Sequence, residues 1–134
     1  MKLVYICSPY AGDTETNVQF ARAACLYASN QGCAPVAVHL LYPQILDDAI
    51  PAQRELGIQM GLRMLASCDE LWICGSRISH GMSCEIAEAE RLGISVRSLS
   101  AEQIQGECHM KLYNFKERDL MAEETPSPVM KLLL

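Results

Sequence analysis

Four short runs of apolar, β-prone residues are spaced along the chain, and each gives way to residues typical of turns or loops. The runs are Leu3 to Cys7, Ala34 to His39, Glu70 to Cys74 and Ile94 to Arg97. After the first run come a serine and a proline, and a proline has no backbone N–H to donate within a sheet. The pattern predicts four strands.

Between these runs, apolar residues recur every three or four positions, which is the spacing of one helix face. The first such stretch begins at Asp13 or Thr14, either of which can cap a helix, and it ends before Gly32. Its apolar face is Val18, Ala21, Ala24, Cys25 and Ala28. Two more helices are predicted over 52–66 and 81–92. In the last one, the face expected to meet the sheet is Met82, Ile86, Ala89 and either Leu92 or Ala87.

Alternating strands and helices are typical of an α/β protein with a mostly parallel sheet covered by helices on both faces. We expect a Rossmann-like (flavodoxin-like) three-layer sandwich of four to five strands over residues 1–99. Residues 100–134 are predicted to be a C-terminal extension, with a short helix at 101–105, a candidate edge strand at Lys111 to Phe115 and an oligomerisation tail. Open sheets of this kind bind ligands at the carboxyl ends of their strands.

Composition narrows the classes of partner. The chain has 134 residues and a net charge of -5, which suits one domain and disfavours a nucleic acid polymer, although a single phosphate remains possible. Its seven cysteines form no C-x-x-C pair, which favours reduced thiols and a cytoplasmic location. His39, His80 and His109 have no metal-ligand spacing, so no metal site is predicted. Neither a membrane span nor a secretory signal is found.

Three loops are expected to meet at the carboxyl edge of the sheet, namely residues 7–13, 39–48 and 75–83. The third contains Ser79, Gly81 and Ser83 at the start of a helix, where backbone N–H groups suit a phosphate. Glu85 follows about one turn later, and a glutamate there is either a functional carboxylate or a complement to the helix dipole.

The roles of several other side chains have more than one interpretation. His39 ends an apolar run and is either a site imidazole or a core histidine. Tyr10 is suited to stack on a base, and Cys7 is expected to be an inert buried thiol like Cys74. The remaining expectations are core packing for Trp72, a helix cap or a ligand contact for Asp13, and packing or a subunit interface for Met60 and Met64.

Three segments resemble the nucleoside 2-deoxyribosyltransferase superfamily, which includes the deoxynucleoside 5'-monophosphate N-glycosidases. They are the Val4-Tyr5-Ile6-Cys7-Ser8 strand, the Cys68-Asp69-Glu70-Leu71-Trp72 strand and the S-x-G-x-x-x-E segment that ends at Glu85. The resemblance covers about residues 2–97. Its S-P-Y-x-G-D opening and H-L-L-Y-P stretch are most similar to phage- or prophage-type domains of that superfamily.

The resemblance implies that Glu85 is the nucleophile at the anomeric carbon and that Tyr5 positions it or the sugar. It also implies a nucleoside or nucleotide substrate, no cofactor, and a homodimer or larger homo-oligomer. The ligand or phosphate contacts expected at the three loops are Ser8, Tyr10, Gly12, His39, Ser79, Gly81 and Ser83.

One part of the superfamily pattern is missing. An Asp expected on the helix before the third strand is replaced by Gly57-Ile58-Gln59, and Glu55, Asp47 and Asp48 are the alternative acids. The leading hypothesis is an N-glycosidase or 2-deoxyribosyltransferase-like enzyme. The alternative is a non-catalytic module that senses or sequesters a nucleotide-derived ligand, and a third reading is a scaffold that docks through its apolar C-terminal residues 129–134.

Overall fold

Four parallel strands form one sheet in the computed structural model, which describes residues 1–106. The strands are β1 (Leu3–Cys7), β2 (Ala34–Val36), β3 (Glu70–Cys74) and β4 (Ser95–Leu99), in the order β2-β1-β3-β4. β1 is therefore central, and its Tyr5 is opposite Val36 of β2 and Leu71 of β3.

Helices cover both faces of this sheet, as the sequence predicted. They are α1 (Thr14–Asn30), α2 (Pro51–Leu65) and α3 (His80–Arg91), and residues 101–106 are also helical. The connection between β2 and α2 contains two 3-10 turns, Val38–Leu40 and Tyr42–Gln44. The architecture is an α/β fold of the flavodoxin-like type.

The side chains of β1 alternate between two cores, one on each face of the sheet. Val4 and Ile6 pack with α1, through residues such as Ala24. Tyr5 and Cys7 point to the opposite face, where they join a second cluster with side chains of α2 and α3. Because both faces of β1 are buried, its sequence is a continuous apolar run with no alternation.

The strand over Ala34 to His39 is shorter than predicted. Hydrogen bonds from Leu40 N to the Ala37 carbonyl (3.0 Å) and from Leu41 N to the Val38 carbonyl (3.0 Å) form a 3-10 turn in place of a sheet ladder. The turn brings the His39 ring back towards the end of β1. The predicted apolar run was correct, but only its first half is strand.

The last strand begins one residue later than predicted and ends later. Ile94 N donates to the Ala89 carbonyl (2.8 Å), so Ile94 belongs to the end of α3, where Gly93 has φ +73°. At the other end, Gly75 N donates to the Leu99 carbonyl (2.9 Å), which prolongs the pairing of β4 beyond β3.

Helix faces agree with the sequence predictions in part. Asp13 caps α1 by accepting from Thr16 N (3.3 Å), and Trp72 is 1% exposed, as predicted. Neither Leu92 nor Ala87 packs on the sheet, since Leu92 caps α3 with its side chain exposed and Ala87 is also exposed. Met64 is exposed on α2, so it does not pack in the core, and its place at a subunit interface stays a prediction.

Within residues 1–106, all six cysteines are free thiols, and no helix is long and apolar enough to cross a membrane. The candidate strand at Lys111 to Phe115 and the tail at 122–134 lie outside the described residues. The division at residue 99 and the oligomeric state stay predictions.

Candidate active site

Tyr5 and Glu85 meet at the face of the sheet covered by α2 and α3. Glu85 is one turn after Met82, which is buried against β1, so the helical repeat directs the Glu85 side chain to the same strand. The Tyr5 hydroxyl donates a hydrogen bond to Glu85 Oε2. Topology alone joins these two residues, which are 80 positions apart.

A thiol contacts the other oxygen of the same carboxyl group. Cys7 Sγ is 3.8 Å from Glu85 Oε1 and 3.9 Å from the Met82 carbonyl. The inert role expected for Cys7 did not include this contact. The signal was available in the sequence, because Cys7 is two residues after Tyr5 and side chains two apart in a strand share a face.

Glu85 is half-buried, and its charge has no ionic partner in the part of the chain that the structure describes. Burial raises the pKa of Glu85 from 4.5 to about 7, while hydrogen bonds from Tyr5 and Cys7 lower it. Burial and the nearby Glu85 charge raise the pKa of both the Tyr5 phenol and the Cys7 thiol, so both stay protonated and can donate. The carboxyl group therefore changes its charge near neutral pH.

A second polar group lies at the carboxyl ends of β1 and β2. Ser8 Oγ is 2.8 Å from His39 Nε2, and Ser8 is only 5% exposed. The Tyr10 and His39 rings meet edge to face, with centroids 6.3 Å apart. Burial lowers the pKa of His39 to about 4, so its imidazole is neutral at physiological pH.

The loop after β1 is tied to the first helix. Asn17 Nδ2 donates to the Tyr10 carbonyl (3.0 Å) and to the Ala11 carbonyl (3.1 Å). Gly12 has φ +99°, a left-handed conformation that favours glycine. This loop is thus held across the carboxyl edge, with Tyr10 beside the imidazole.

The serines expected to bind a phosphate participate in the start of α3. Ser79 Oγ accepts from Met82 N (3.2 Å), and Ser83 Oγ donates to the Ser79 carbonyl (3.2 Å). Gly81 is exposed, and an added Cβ there would approach nothing closer than Ser79 Oγ at 4.0 Å. Their phosphate role stays a prediction.

The alternative acids have only local partners. Asp47 Oδ1 accepts from Ala49 N (2.9 Å), Glu55 Oε1 accepts from Gln59 Nε2 (2.9 Å), and Asp48 is exposed. None of these carboxyl groups hydrogen-bonds with Tyr5 or Glu85.

A cavity of about 470 Å³ lies at the ends of β1 and β3, on the side of α1. Pro9, Phe20 and Gly75 line it, and Arg77 is its one charged residue. Glu85 is not part of its lining, so this cavity is separate from the Tyr5–Glu85 contact. Among residues 1–106, no group of three metal-ligating side chains is found.

Comparisons with known proteins agree with this architecture. The profile of a family described as a domain of unknown function matches residues 2–99. The 2-deoxyribosyltransferase of the psychrotolerant bacterium Bacillus psychrosaccharolyticus has a similar structure, with a TM-score of 0.59 and 16% sequence identity over 73% of this chain and 72% of that chain. That enzyme is described as a biocatalyst for nucleoside synthesis. No curated protein matches the sequence.

Proposed function

The chain belongs to the DUF7768 family, and on the geometry of its carboxyl edge we propose that it is a nucleoside or nucleotide N-glycosidase or 2-deoxyribosyltransferase-like enzyme. The observation that carries the proposal is the half-buried Glu85 carboxyl group held by Tyr5. The fold shared with a 2-deoxyribosyltransferase supports the same class of chemistry.

Glu85 acts as the nucleophile in this proposal. Its ionised oxygen attacks the anomeric carbon, the carbon–nitrogen bond breaks, and the electron pair of that bond passes to the base. Water or a second base then attacks the same carbon and releases the Glu85 carboxylate. Burial favours this role, because a carboxylate with little hydration is a stronger nucleophile than an exposed one.

Tyr5 and Cys7 orient the carboxylate by donating to its two oxygens. We propose that the substrate lies against the loops at the carboxyl edge. Its contacts there are Ser8, Tyr10, Gly12, His39, Ser79, Gly81 and Ser83.

The test is release of free base from deoxynucleosides and their 5'-monophosphates, followed by chromatography. We expect Glu85→Gln to reduce base release by at least about 1,000-fold, because an amide does not form the glycosyl ester. Glu90→Gln is the matched control, since Glu90 is an exposed glutamate on the same helix. Equal activity of wild type and Glu85→Gln would exclude this mechanism.

A binding module is the second candidate, and the exposed positions of Asp47, Asp48 and Glu55 favour it. In this function, a nucleotide-derived ligand is held but not cleaved, because none of these three carboxyl groups hydrogen-bonds with Tyr5 or Glu85 in the described residues. A thermal shift with deoxynucleotides and no base release would support that function.

A further inference from the structure

Breaking a base–sugar bond leaves negative charge on a ring nitrogen, so the proposed reaction needs a donor at the base. In the described residues, three protic side chains on β1 and at the start of α3 are already engaged. Tyr5 and Cys7 donate to Glu85 itself, and Ser79 caps α3. A donor must come from elsewhere at the carboxyl edge.

His39 is the side chain that meets this need. Its Nε2 is fixed by Ser8, and Ser8 follows Cys7, whose thiol is against Glu85. Cys7 and Ser8 are consecutive where β1 ends, so the imidazole and the Glu85 carboxyl group lie at the same edge of the sheet. Tyr10 borders the same ring and offers a surface on which a base can stack.

The second ring nitrogen of His39 is available. No hydrogen bond to Nδ1 is formed by the described residues, and the one buried unpaired polar side-chain atom found there is Nδ2 of Asn30. Nδ1 is therefore not a fully buried atom, and no described residue is bonded to it. When the Ser8 hydroxyl donates to Nε2, the proton of a neutral imidazole is on Nδ1.

We propose that His39 donates a hydrogen bond from Nδ1 to the departing nucleobase and that Ser8 positions it for this role. The inference rests on the proposed function and deepens it. As the bond from the anomeric carbon to the base nitrogen breaks, its electron pair moves to the base while the Glu85 oxygen bonds to the carbon. The N–H of His39 stabilises the developing charge, and His39 keeps its proton. The released base takes a proton from water.

Two substrates separate this role from packing. The base of 2'-deoxyguanosine leaves with developing negative charge, whereas the cationic base of 7-methyl-2'-deoxyguanosine leaves as a neutral molecule. We expect His39→Ala to reduce guanine release from the first substrate, or from its 5'-monophosphate, about 100-fold, the usual cost of one lost donor. Release of 7-methylguanine is expected to fall less than about threefold.

Ser8→Ala is expected to show the same selectivity with a loss of about tenfold, because Ser8 acts only through the imidazole. His80→Gln is the control, since His80 is exposed on α3. Circular dichroism of each variant establishes whether it is folded. If His39→Ala does not fold, Ser8→Ala still tests the role of the imidazole.

An equal loss on both substrates, or no loss on either, would overturn the role of His39 while leaving base release intact. Failure of the proposed function has a different signature. In that case Glu85→Gln releases both bases as fast as wild type, or wild type releases neither, and the inference about His39 falls with it.

Discussion

Glu70 and Glu85 are two glutamates at opposite edges of the same sheet, and their surroundings shift their pKa values in opposite directions. Glu70 begins β3 at the amino edge, where Lys2 Nζ (2.5 Å) and Trp72 Nε1 (2.8 Å) donate to it. These hydrogen bonds lower the pKa of Glu70. Glu85 has only neutral donors, and burial raises its pKa to about 7. A charge stabilises the fold at the amino edge and destabilises it at the carboxyl edge, where chemistry is proposed.

The largest expected effect is a stabilisation by Glu85→Gln at high pH. Because the folded-state pKa of Glu85 exceeds the unfolded value of 4.5, the contribution of this group to stability is fully present below pH 4.5 and is lost as pH rises through about 7. The rise in pKa corresponds to at most about 3 kcal/mol at pH 8.5. Glutamine is neutral throughout, so the variant should be more stable than wild type at pH 8.5 and similar at pH 4.

Urea unfolding at pH 4 and at pH 8.5 measures this difference. If the variant gained no stability between the two pH values, the carboxyl group would not be desolvated in the folded protein.

Sequence patterns predicted the strand and the helix that carry Glu70 and Glu85 but not the side-chain contacts of these two residues. β3 was predicted with its correct bounds, because its short apolar run is followed directly by Gly75, which ends the strand. The Tyr5 contact is different, since both faces of β1 are buried and its run has no period that shows which side chain faces α3. Only the superfamily resemblance linked Tyr5 to Glu85.

The sequence pattern also did not predict the hydrogen bond between Ser8 and His39, although both residues were expected at the site. Ala34 to His39 is continuous and β-prone, so it predicts a strand in which His39 extends past the end of β1. The 3-10 turn depends on hydrogen bonds within residues 37–41, and these leave no apolar pattern. Local turn geometry decided the position of the imidazole.

Tyr5→Phe removes the phenol donor from Glu85 and should raise the pKa of that carboxyl group further. A hydrogen bond to a charged group contributes about 1.5–3 kcal/mol, which corresponds to a rise of about one to two pH units. Base release should therefore reach half its maximum well above pH 7, with about a tenfold loss at pH 7. The pH profiles of wild type, Tyr5→Phe and the control Tyr42→Phe measure the shift. Identical profiles would mean that the phenol does not stabilise the ionised carboxylate.

Glu70→Gln should act with the opposite sign to Glu85→Gln. The lowered pKa of Glu70 means that its charge stabilises the fold above about pH 4.5 and that this contribution is lost as pH falls. The Lys2 ammonium is mostly exposed, so we expect the variant to lose less than about 1 kcal/mol at pH 7 and nothing near pH 2. Urea unfolding across this range provides the measurement. A stabilised variant at pH 7 would remove the contrast between the two edges.

The smallest effect concerns the Cys7 thiol. If this thiol donates a hydrogen bond to Glu85 Oε1, it affects the pKa of Glu85; if it only fills space in the core, it does not. Alanine removes the donor and serine supplies a stronger one, so the two substitutions should move the pKa of Glu85 in opposite directions. We expect the half-maximal pH of base release to rise by about half a unit in Cys7→Ala and to fall by about as much in Cys7→Ser. A Cys74→Ala control reports the cost of losing a buried thiol with no contact to Glu85, since Cys74 Sγ is against the Trp72 carbonyl (3.5 Å). If base release by Cys7→Ala and Cys7→Ser had the same half-maximal pH, the pKa of Glu85 would be set by burial and the Tyr5 hydrogen bond alone.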